Sequence, residues 1–355
     1  MPIASPGGMS LLRTDYLAEE TNVLVQELPA RPDLSLEITP AELSQIVAEI
    51  KQVQFSPYIQ KWITNYESVG QRGRFLWQWC VKGIELTTLP SVAPELRQHV
   101  METKLLGILF CTLIDDIADR EQDGEMLEMA IAAASDGWAM ERIQFWTGRR
   151  RAYLEMISSL WNEVWTRCKS YPRFRDFEQL LKFDNEQVMI AMRYALLSNQ
   201  CPGLLNVVEH DLYQPNNMQM IFMASVDLCA SPEFHLDELG TAREVFWHAQ
   251  RMGRIGNMIT TWEREVLDRD FTSGIFAFAV HRGILNASDL RNLPAHEIMA
   301  LLEANDCEQH FINEWKHHRD RMERKLRRLQ SIDMMPYLHA FEEMIKLHLG
   351  SRGMM

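Results

Sequence analysis

Apolar residues recur every three to four positions along most of this chain. From Pro94 onward nearly every segment follows this helical spacing, and no run alternates between apolar and polar residues for long enough to predict a strand. The pattern predicts a single all-α domain, a bundle of about ten to twelve helices around a central apolar cavity. Breaks between helices are expected near Gly124, Tyr171-Pro172, Cys201-Pro202-Gly203, Gln214-Pro215-Asn216, Ser231-Pro232 and Leu293-Pro294.

The chain before Pro94 contains an irregular part followed by a helical part. Residues 1–38 hold four prolines and no sustained period, which predicts a mobile N-terminal arm. Thr39-Pro40-Ala41-Glu42 combines an N-cap residue, an early proline and an acidic first turn, so a helix is predicted from there to about Phe55. Residues 70–88 predict a second, core-facing helix.

The composition fits a protein with a sizeable core. Among 355 residues, 46% are hydrophobic, and ten Trp, fifteen Phe and twenty-one Met suggest a large, adaptable apolar interior. We expect one domain over residues 39–350 and a short C-terminal tail over 351–355.

Charge and cysteine usage exclude several classes of function. A net charge of -13 argues against a nucleic-acid partner. The six cysteines are scattered without a C-x-x-C pair, which is typical of reduced thiols in a cytoplasmic protein. The N-terminus shows no basic-then-apolar signal, and the longest apolar run, about ten residues, is too short for a membrane span.

Three carboxylates follow the longest apolar run. Leu105 to Ile114 is almost wholly apolar, and Asp115, Asp116 and Asp119 come directly after it. At about 100° per residue, Asp115 and Asp119 lie about 40° apart on one helical face. Two carboxylates on one face, at the mouth of an apolar cavity, suit a hard divalent cation such as Mg2+. Taken alone, the motif fits a solvated helix face or an N-cap cluster equally well.

A second polar motif lies much later in the chain. Asn257, Thr261 and Glu265 are spaced at i, i+4 and i+8, so their oxygen-bearing side chains form one stripe on a helix. An amide, a hydroxyl and a carboxylate make a second hard-metal site of lower charge. Taken alone, this stripe is more typical of an ordinary amphipathic helix.

Together the two motifs resemble those of the class I terpene synthases (terpene cyclases) of bacterial type. That family carries Asp-Asp-x-x-Asp and then Asn-x-x-x-Ser/Thr-x-x-x-Glu, separated by well over a hundred residues, as Asp115 and Asn257 are here. The pair is far more specific than either motif alone. The resemblance covers roughly residues 70–350.

The resemblance implies a Mg2+-dependent enzyme with a linear prenyl diphosphate as its substrate. It would ionise farnesyl or geranylgeranyl diphosphate, cyclise the carbocation to a sesquiterpene or diterpene, and release diphosphate. Asp116 would orient a neighbouring group rather than bind metal. Family members often form homodimers, although no interface is legible here. With Asp116, the implied catalytic residues are the metal ligands Asp115, Asp119, Asn257, Thr261 and Glu265, around three Mg2+ ions that Mn2+ can replace.

The residues that would bind the diphosphate follow the family pattern only in part. A basic residue often precedes the last glutamate of the second motif, and Arg264 has that position here. The family's upstream arginine is absent: residues 209–217 hold none, Tyr213 stands in its place, and Arg193 is an upstream substitute. The C-terminal Arg-Tyr pair of the family is also missing, and the candidates to replace it are Arg327, Arg328, Tyr337 and Arg352.

Aromatic side chains are expected to line the cavity, because their faces stabilise a cation by about 0.5–2 kcal/mol each. Pro215 predicts a helix break where, in the family, a kinked helix aims backbone carbonyls at the cation. No side chain stands out as a proton acceptor, which leaves diphosphate itself as a candidate. The lining candidates, for each of which core packing is the alternative, are Phe75, Trp77, Phe110, Phe222 and Trp315, with Trp79 and Trp247 in addition.

Two other functions stay open at this point. A chain-elongating trans-prenyltransferase would carry two aspartate-rich motifs, whereas this chain has one Asp-Asp-x-x-Asp. A non-catalytic helical metal-binding protein would have the same metal ligands but release no diphosphate from a prenyl diphosphate in the presence of Mg2+.

Overall fold

The structure is a computed structural model that describes residues 39–354 except 136–138, so the predicted arm over residues 1–38 lies outside the described part. The all-α prediction is confirmed: within these residues there are sixteen α-helices and no strand. The helices are α1 (Pro40–Gln52), α2 (Pro57–Glu67), α3 (Arg74–Thr87), α4 (Arg97–Asp116), α5 (Gly124–Ser135), α6 (Ala139–Ile143), α7 (Gly148–Lys169), α8 (Phe174–Gln200), α9 (Val207–Tyr213), α10 (Met220–Cys229), α11 (Leu239–Asp268), α12 (Gly274–His281), α13 (Ala287–Asn292), α14 (Ala295–Ala304), α15 (Cys307–Leu326) and α16 (Met335–Gly350).

The predicted count of ten to twelve helices was too low, because some connections contain short helices. α9 has seven residues and α13 has six, which is too short for a clear apolar period. Each is held at its start by an asparagine cap. Asn206 accepts a hydrogen bond from the amide of Glu209, and Asn286 accepts one from the amide of Asp289.

The first described helix begins at the predicted cap. The Thr39 hydroxyl accepts a hydrogen bond from the Glu42 amide, and the Glu42 carboxylate accepts one from the Thr39 amide at 2.8 Å. This reciprocal pair satisfies two amides that the helix itself leaves unbonded. α1 ends at Gln52, slightly before the predicted Phe55.

α11 is the central helix of the fold. It packs against α10, α15 and α16, while α4 packs against α3 and α7. Side chains are buried on several faces of α11, including polar ones such as Arg254, Thr261 and Glu265. A polar stripe on α11 therefore faces the protein interior rather than solvent. Of the helices that the structure describes, none is long and apolar enough to cross a membrane.

The first motif lies where α4 changes its geometry. The α-helix ends at Asp116, and Ile117–Glu121 forms one turn of π-helix that ends at Gln122 in the left-handed region, with φ 49°. Asp119 lies within this wider turn. Single π-helical turns frequently occur at functional sites.

The predicted break at Pro215 is present in the structure. Gln214–Met218 forms a 3₁₀ turn between α9 and α10, and Gln219 adopts a left-handed conformation with φ 55°. Pro215 has no amide hydrogen to continue an α-helical ladder. The break brings Asn217 and its neighbours against the cavity described next.

Candidate active site

One cavity of about 210 Å³ brings the two sequence motifs together. Side chains of α3, α4, α11 and α16 line it, together with the break before α10. Both predicted clusters contribute: Asp115 and Asp119 from the first motif and Asn257, Thr261 and Glu265 from the second. The apolar part of the wall includes Leu76, Trp79, Ile84, Ile108, Met223 and Met344.

The carboxylate of Asp115 is hydrogen-bonded by a residue of the 3₁₀ turn before α10. Asn217 Nδ2 donates a hydrogen bond to Asp115 Oδ1 at 2.9 Å, and Asp115 also interacts with Asp119. Arg72 Nη2 lies 3.7 Å from Asp115 Oδ2. The first cluster is therefore two adjacent carboxylates with an amide and a guanidinium beside them.

Asp116 has a different role from its neighbours. It is buried, and Arg72 Nε donates to its Oδ1 at 2.8 Å while Arg72 Nη2 lies 2.6 Å from the same atom. Arg120 Nε is 3.4 Å away. Burial raises the pKa of Asp116, and Arg72 opposes that rise. Asp116 thus anchors Arg72, whose guanidinium also reaches Asp115.

The second cluster forms the predicted stripe on α11. Thr261 Oγ1 donates to Glu265 Oε1 at 2.7 Å, and Arg254 Nη1 donates to Asn257 Oδ1 at 3.2 Å. Arg254 Nη2 also donates to the carbonyl of Thr272 at 3.2 Å. The amide, hydroxyl and carboxylate therefore face the same cavity in a fixed arrangement.

Asp270 links the electrostatics of the two clusters. Burial raises the pKa of Glu265 to about 7, and the Asp270 carboxylate adds to that rise. Burial also raises the pKa of Asp119, and Asp270 and Asp115 add to it. Asp270 is itself fixed by Thr272, whose amide and hydroxyl both donate to Asp270 Oδ1. Four carboxylates are thus close enough to repel one another, and a bound cation would relieve that repulsion.

The donor set fits Mg2+. Asp119 Oδ1 and Glu265 Oε2 are buried and have no hydrogen-bond partner among the described residues, an arrangement that is costly unless a cation completes it. Among the described residues, no group of three or more His, Cys, Asp or Glu side chains is arranged to bind a metal ion by itself. Each cluster would therefore supply one or two carboxylates, which is how Mg2+ is commonly bound when phosphate oxygens and water complete its shell.

Three arginines line the same cavity. Arg264 Nη1 donates to Asp268 at 2.9 Å, and its Nε is buried without a partner in the described part of the chain. Arg254 Nε is buried and unpartnered there as well. With Arg72, these guanidiniums give the cavity positive charge beside its carboxylates. The sequence analysis named Arg264 but not Arg72 or Arg254. Arg254 could have been recognised, because it precedes Asn257 by about one helical turn and so shares its face.

Arg193 and Tyr213, which the sequence analysis named as diphosphate ligands, are not among the residues of the described cavity wall. Arg193 forms a two-bond ion pair with Glu128 at the exposed surface, with both distances 2.7 Å. Tyr213 packs on Tyr194, with ring centroids 5.3 Å apart.

The C-terminal candidates have other partners. Arg352 pairs with Glu263 and Glu308, and Tyr337 is buried against Phe246 and Phe341.

Most of the predicted aromatic lining also lies elsewhere. On α3 the described wall includes Leu76, Trp79 and Gly83 but neither Phe75 nor Trp77, and Trp77 packs edge-on against Tyr66. On α4 the wall includes Ile108, Cys111 and Asp115. Phe110 and Phe222 pack on Trp161 instead. Trp315 is buried on α15, and Trp247 lines a separate hollow. Of these candidates, Trp79 alone is in the described cavity wall.

Comparison with solved structures gives a likeness of fold, while the two comparisons of sequence give nothing. The chain matches no family model and no curated protein. It is similar to the crystal structure of 2-methylisoborneol synthase from Streptomyces coelicolor A3(2) in complex with Mg2+ and geranyl-S-thiolodiphosphate. The two chains are 13% identical, the match covers 93% of this chain and 96% of the other, and the TM-score is 0.48.

Proposed function

We propose that this protein is a class I terpene synthase. It would ionise a linear prenyl diphosphate, farnesyl or geranylgeranyl diphosphate, in the presence of Mg2+, and guide the carbocation to a cyclic hydrocarbon or alcohol. The observation that carries the proposal is the convergence of two oxygen-donor motifs, far apart in sequence, on one cavity with an apolar wall. A prenyl diphosphate has the matching form, with a highly charged head and an apolar tail.

The head group would lie between the two motifs. Asp115 and Asp119 would hold Mg2+ from the α4 side, and Asn257, Thr261 and Glu265 would hold it from α11. When bound, Mg2+ supplies the charge neutralisation that makes diphosphate a good leaving group. Arg72, Arg254 and Arg264 would donate hydrogen bonds to diphosphate oxygens and hold the head in place.

The tail would occupy the apolar part of the cavity. Ile84, Ile108, Met223 and Met344 present no hydroxyl, amine or carboxylate to an allylic cation, and their apolar surfaces would exclude water from it. Trp79 is an aromatic side chain of the described wall, and its indole face would stabilise a nearby cation by about 0.5–2 kcal/mol. Flexible methionine side chains would let the wall follow the changing shape of the folding chain.

A product assay with several substrates tests this proposal. The purified protein is incubated with geranyl, farnesyl or geranylgeranyl diphosphate and Mg2+, with and without excess EDTA, and the extracted products are identified by mass spectrometry. We expect terpenes and free diphosphate from the fifteen- or twenty-carbon substrate, and none with EDTA. Elongated diphosphates on addition of isopentenyl diphosphate would indicate a prenyltransferase instead, and no diphosphate release from any substrate would indicate a non-catalytic protein.

A further inference from the structure

His348 is a buried side chain in the wall of the active-site cavity. It lies on α16 with 1% of its surface exposed, and its ring is 4.7 Å from the Trp79 ring, between centroids. On the other side it approaches the backbone of α11 at Gly256: a Cβ added there would lie 2.7 Å from His348 Cδ2. The imidazole is thus held between an indole ring and the helix that carries the second motif.

Both ring nitrogens of His348 are buried and lack a hydrogen-bond partner among the residues that the structure describes. A neutral imidazole carries one donor and one acceptor nitrogen, and leaving either buried without a partner destabilises the fold. Burial lowers the pKa of His348 to about 3, so the ring is neutral near pH 7 and one nitrogen has a free lone pair. A buried base with both nitrogens unpaired in the wall of this cavity suggests a chemical use.

The other basic groups of the wall are less suited to accept a proton. Lys104 is fully buried and donates to both carboxylate oxygens of Asp227, to the Thr87 carbonyl and to the Thr88 hydroxyl, so it is already protonated and paired. Burial raises the pKa of the Cys80 thiol to about 12 and raises that of Cys111, which keeps both sulfurs protonated. Outside the carboxylate clusters, His348 is the neutral nitrogen base of the described wall.

We infer that His348 accepts the proton that ends the reaction, an inference that rests on the proposed function. The free imidazole nitrogen removes a proton from a carbon next to the cationic centre. The electron pair of that C–H bond fills the empty orbital, so a C=C bond forms and the imidazole becomes imidazolium. The proton then passes to diphosphate or to water as the products leave.

The surroundings of His348 fit this step. A carbocation is a far stronger acid than an imidazolium, so the transfer is downhill even to a base weakened by burial. Trp79 lies beside the new imidazolium, and its electron-rich indole favours the positive charge. Gly256 lets the ring lie directly against α11, next to Asn257, where a side chain of any size would displace it.

The test compares the terpene products of wild type, His348→Phe and His348→Gln. Phenylalanine keeps a flat ring against Trp79 but has no base, and glutamine keeps a hydrogen-bond acceptor that is hardly basic. We expect both variants to keep the carbon skeleton of the main product while its share falls at least tenfold, in favour of isomers with the double bond elsewhere or alcohols. A role in filling space alone would change the skeleton.

Two glycine variants on α11 test the same assignment without removing the histidine. Gly256→Ala displaces the His348 ring, and we expect the same change of products. Gly253→Ala is the matched control, because a Cβ there meets only Met218 and Met220 at 3.5 Å, an ordinary contact. It should leave the products as in wild type. Circular dichroism and thermal melting establish that each variant is folded.

Each outcome decides between the two proposals. A wild type that releases no diphosphate from any prenyl diphosphate overturns the proposed function, and the role of His348 with it. An active wild type whose products are unchanged in His348→Phe and Gly256→Ala overturns the role of His348 alone. So do variants with an altered skeleton, or a His348→Gln variant that keeps the wild-type products.

Discussion

Asn217 donates a 2.9 Å hydrogen bond to Asp115, and so connects the break before α10 with the end of α4. The bond orients one carboxylate of the first motif from a segment remote in sequence. Loss of such a partner to a metal ligand typically reduces metal affinity or activity by about 10–100-fold. We predict that Asn217→Ala raises the Mg2+ concentration for half-maximal diphosphate release by about tenfold or more.

The neighbouring Asn216→Ala is the control for that prediction. Asn216 bonds to Gln250 and to the carbonyls of Leu212 and Tyr213 in α9, whereas the hydrogen bond to Asp115 comes from Asn217. Magnesium titrations of both variants by released diphosphate give the comparison. Identical Mg2+ dependence in Asn217→Ala and wild type would remove Asn217 from the site.

Arg72 is predicted to be a stabilising residue as well as a cavity residue. Arg72→Met leaves the buried Asp116 carboxylate with only the more distant Arg120, and breaking a buried ion pair costs about 3–5 kcal/mol. Arg193→Met breaks an exposed pair with Glu128 and should cost about 0–1 kcal/mol. Urea unfolding measures both. Equal free energies of unfolding for the two variants would contradict the prediction.

The raised pKa of Glu265 predicts how stability depends on pH. Its folded pKa is about 7 against an ordinary 4.5, so the folded state binds the proton more tightly, and this contribution to stability is lost as pH rises from about 4.5 to 7. Glu265→Gln removes the buried charge. We therefore expect the metal-free variant to melt a few degrees above wild type at pH 8, with the gain shrinking towards pH 5.

Glu263→Gln is the matched control for Glu265→Gln, since Glu263 lies on the same helix but is partly exposed and pairs with Arg352. The change in melting temperature caused by Glu263→Gln should not depend on pH in this way. Glu265→Gln should also lose the thermal stabilisation that Mg2+ with inorganic diphosphate gives to wild type. A variant that is no more stable than wild type at pH 8 would argue against an ionised, buried Glu265.

The buried pair of Lys104 and Asp227 ties α4 to α10. Lys104 Nζ lies 2.9 Å from Asp227 Oδ2, and both side chains are almost fully buried. Lys104→Met should destabilise by about 3–5 kcal/mol because it leaves an unpaired carboxylate. Adding Asp227→Asn should restore most of that loss, since asparagine still accepts from the Leu89 amide. A double variant no more stable than the single one would contradict this account of the pair.

The sequence predicted those parts of the fold and site that depend on local helix geometry. Helical spacing predicted the all-α class, and the interval of four residues predicted that Thr261 and Glu265 share a face, where they bond at 2.7 Å. The same geometry explains why Phe110, a predicted lining residue, is not in the described wall. One position along a helix turns a side chain by about 100°, so Phe110 points away from the face that Cys111 shares.

The remaining site residues depend on tertiary packing. Asn217 reaches Asp115, Arg72 reaches Asp116, and His348 reaches Gly256 across segments that no local pattern relates. Asp270 follows the end of α11 at the left-handed Arg269, a turn without a distinctive signature in the sequence. Such residues are recognised only when the packed helices show which side chains share a cavity.

The rate of Mg2+-dependent diphosphate release by wild type, Asp115→Ala and Asn257→Ala tests most directly whether the two motifs act on one head group. The wild type should release diphosphate from farnesyl or geranylgeranyl diphosphate, and each variant should be slower by about 100-fold or more with unchanged helix content by circular dichroism. A folded variant of either residue with the full wild-type rate, or a wild type that releases none, would contradict the account.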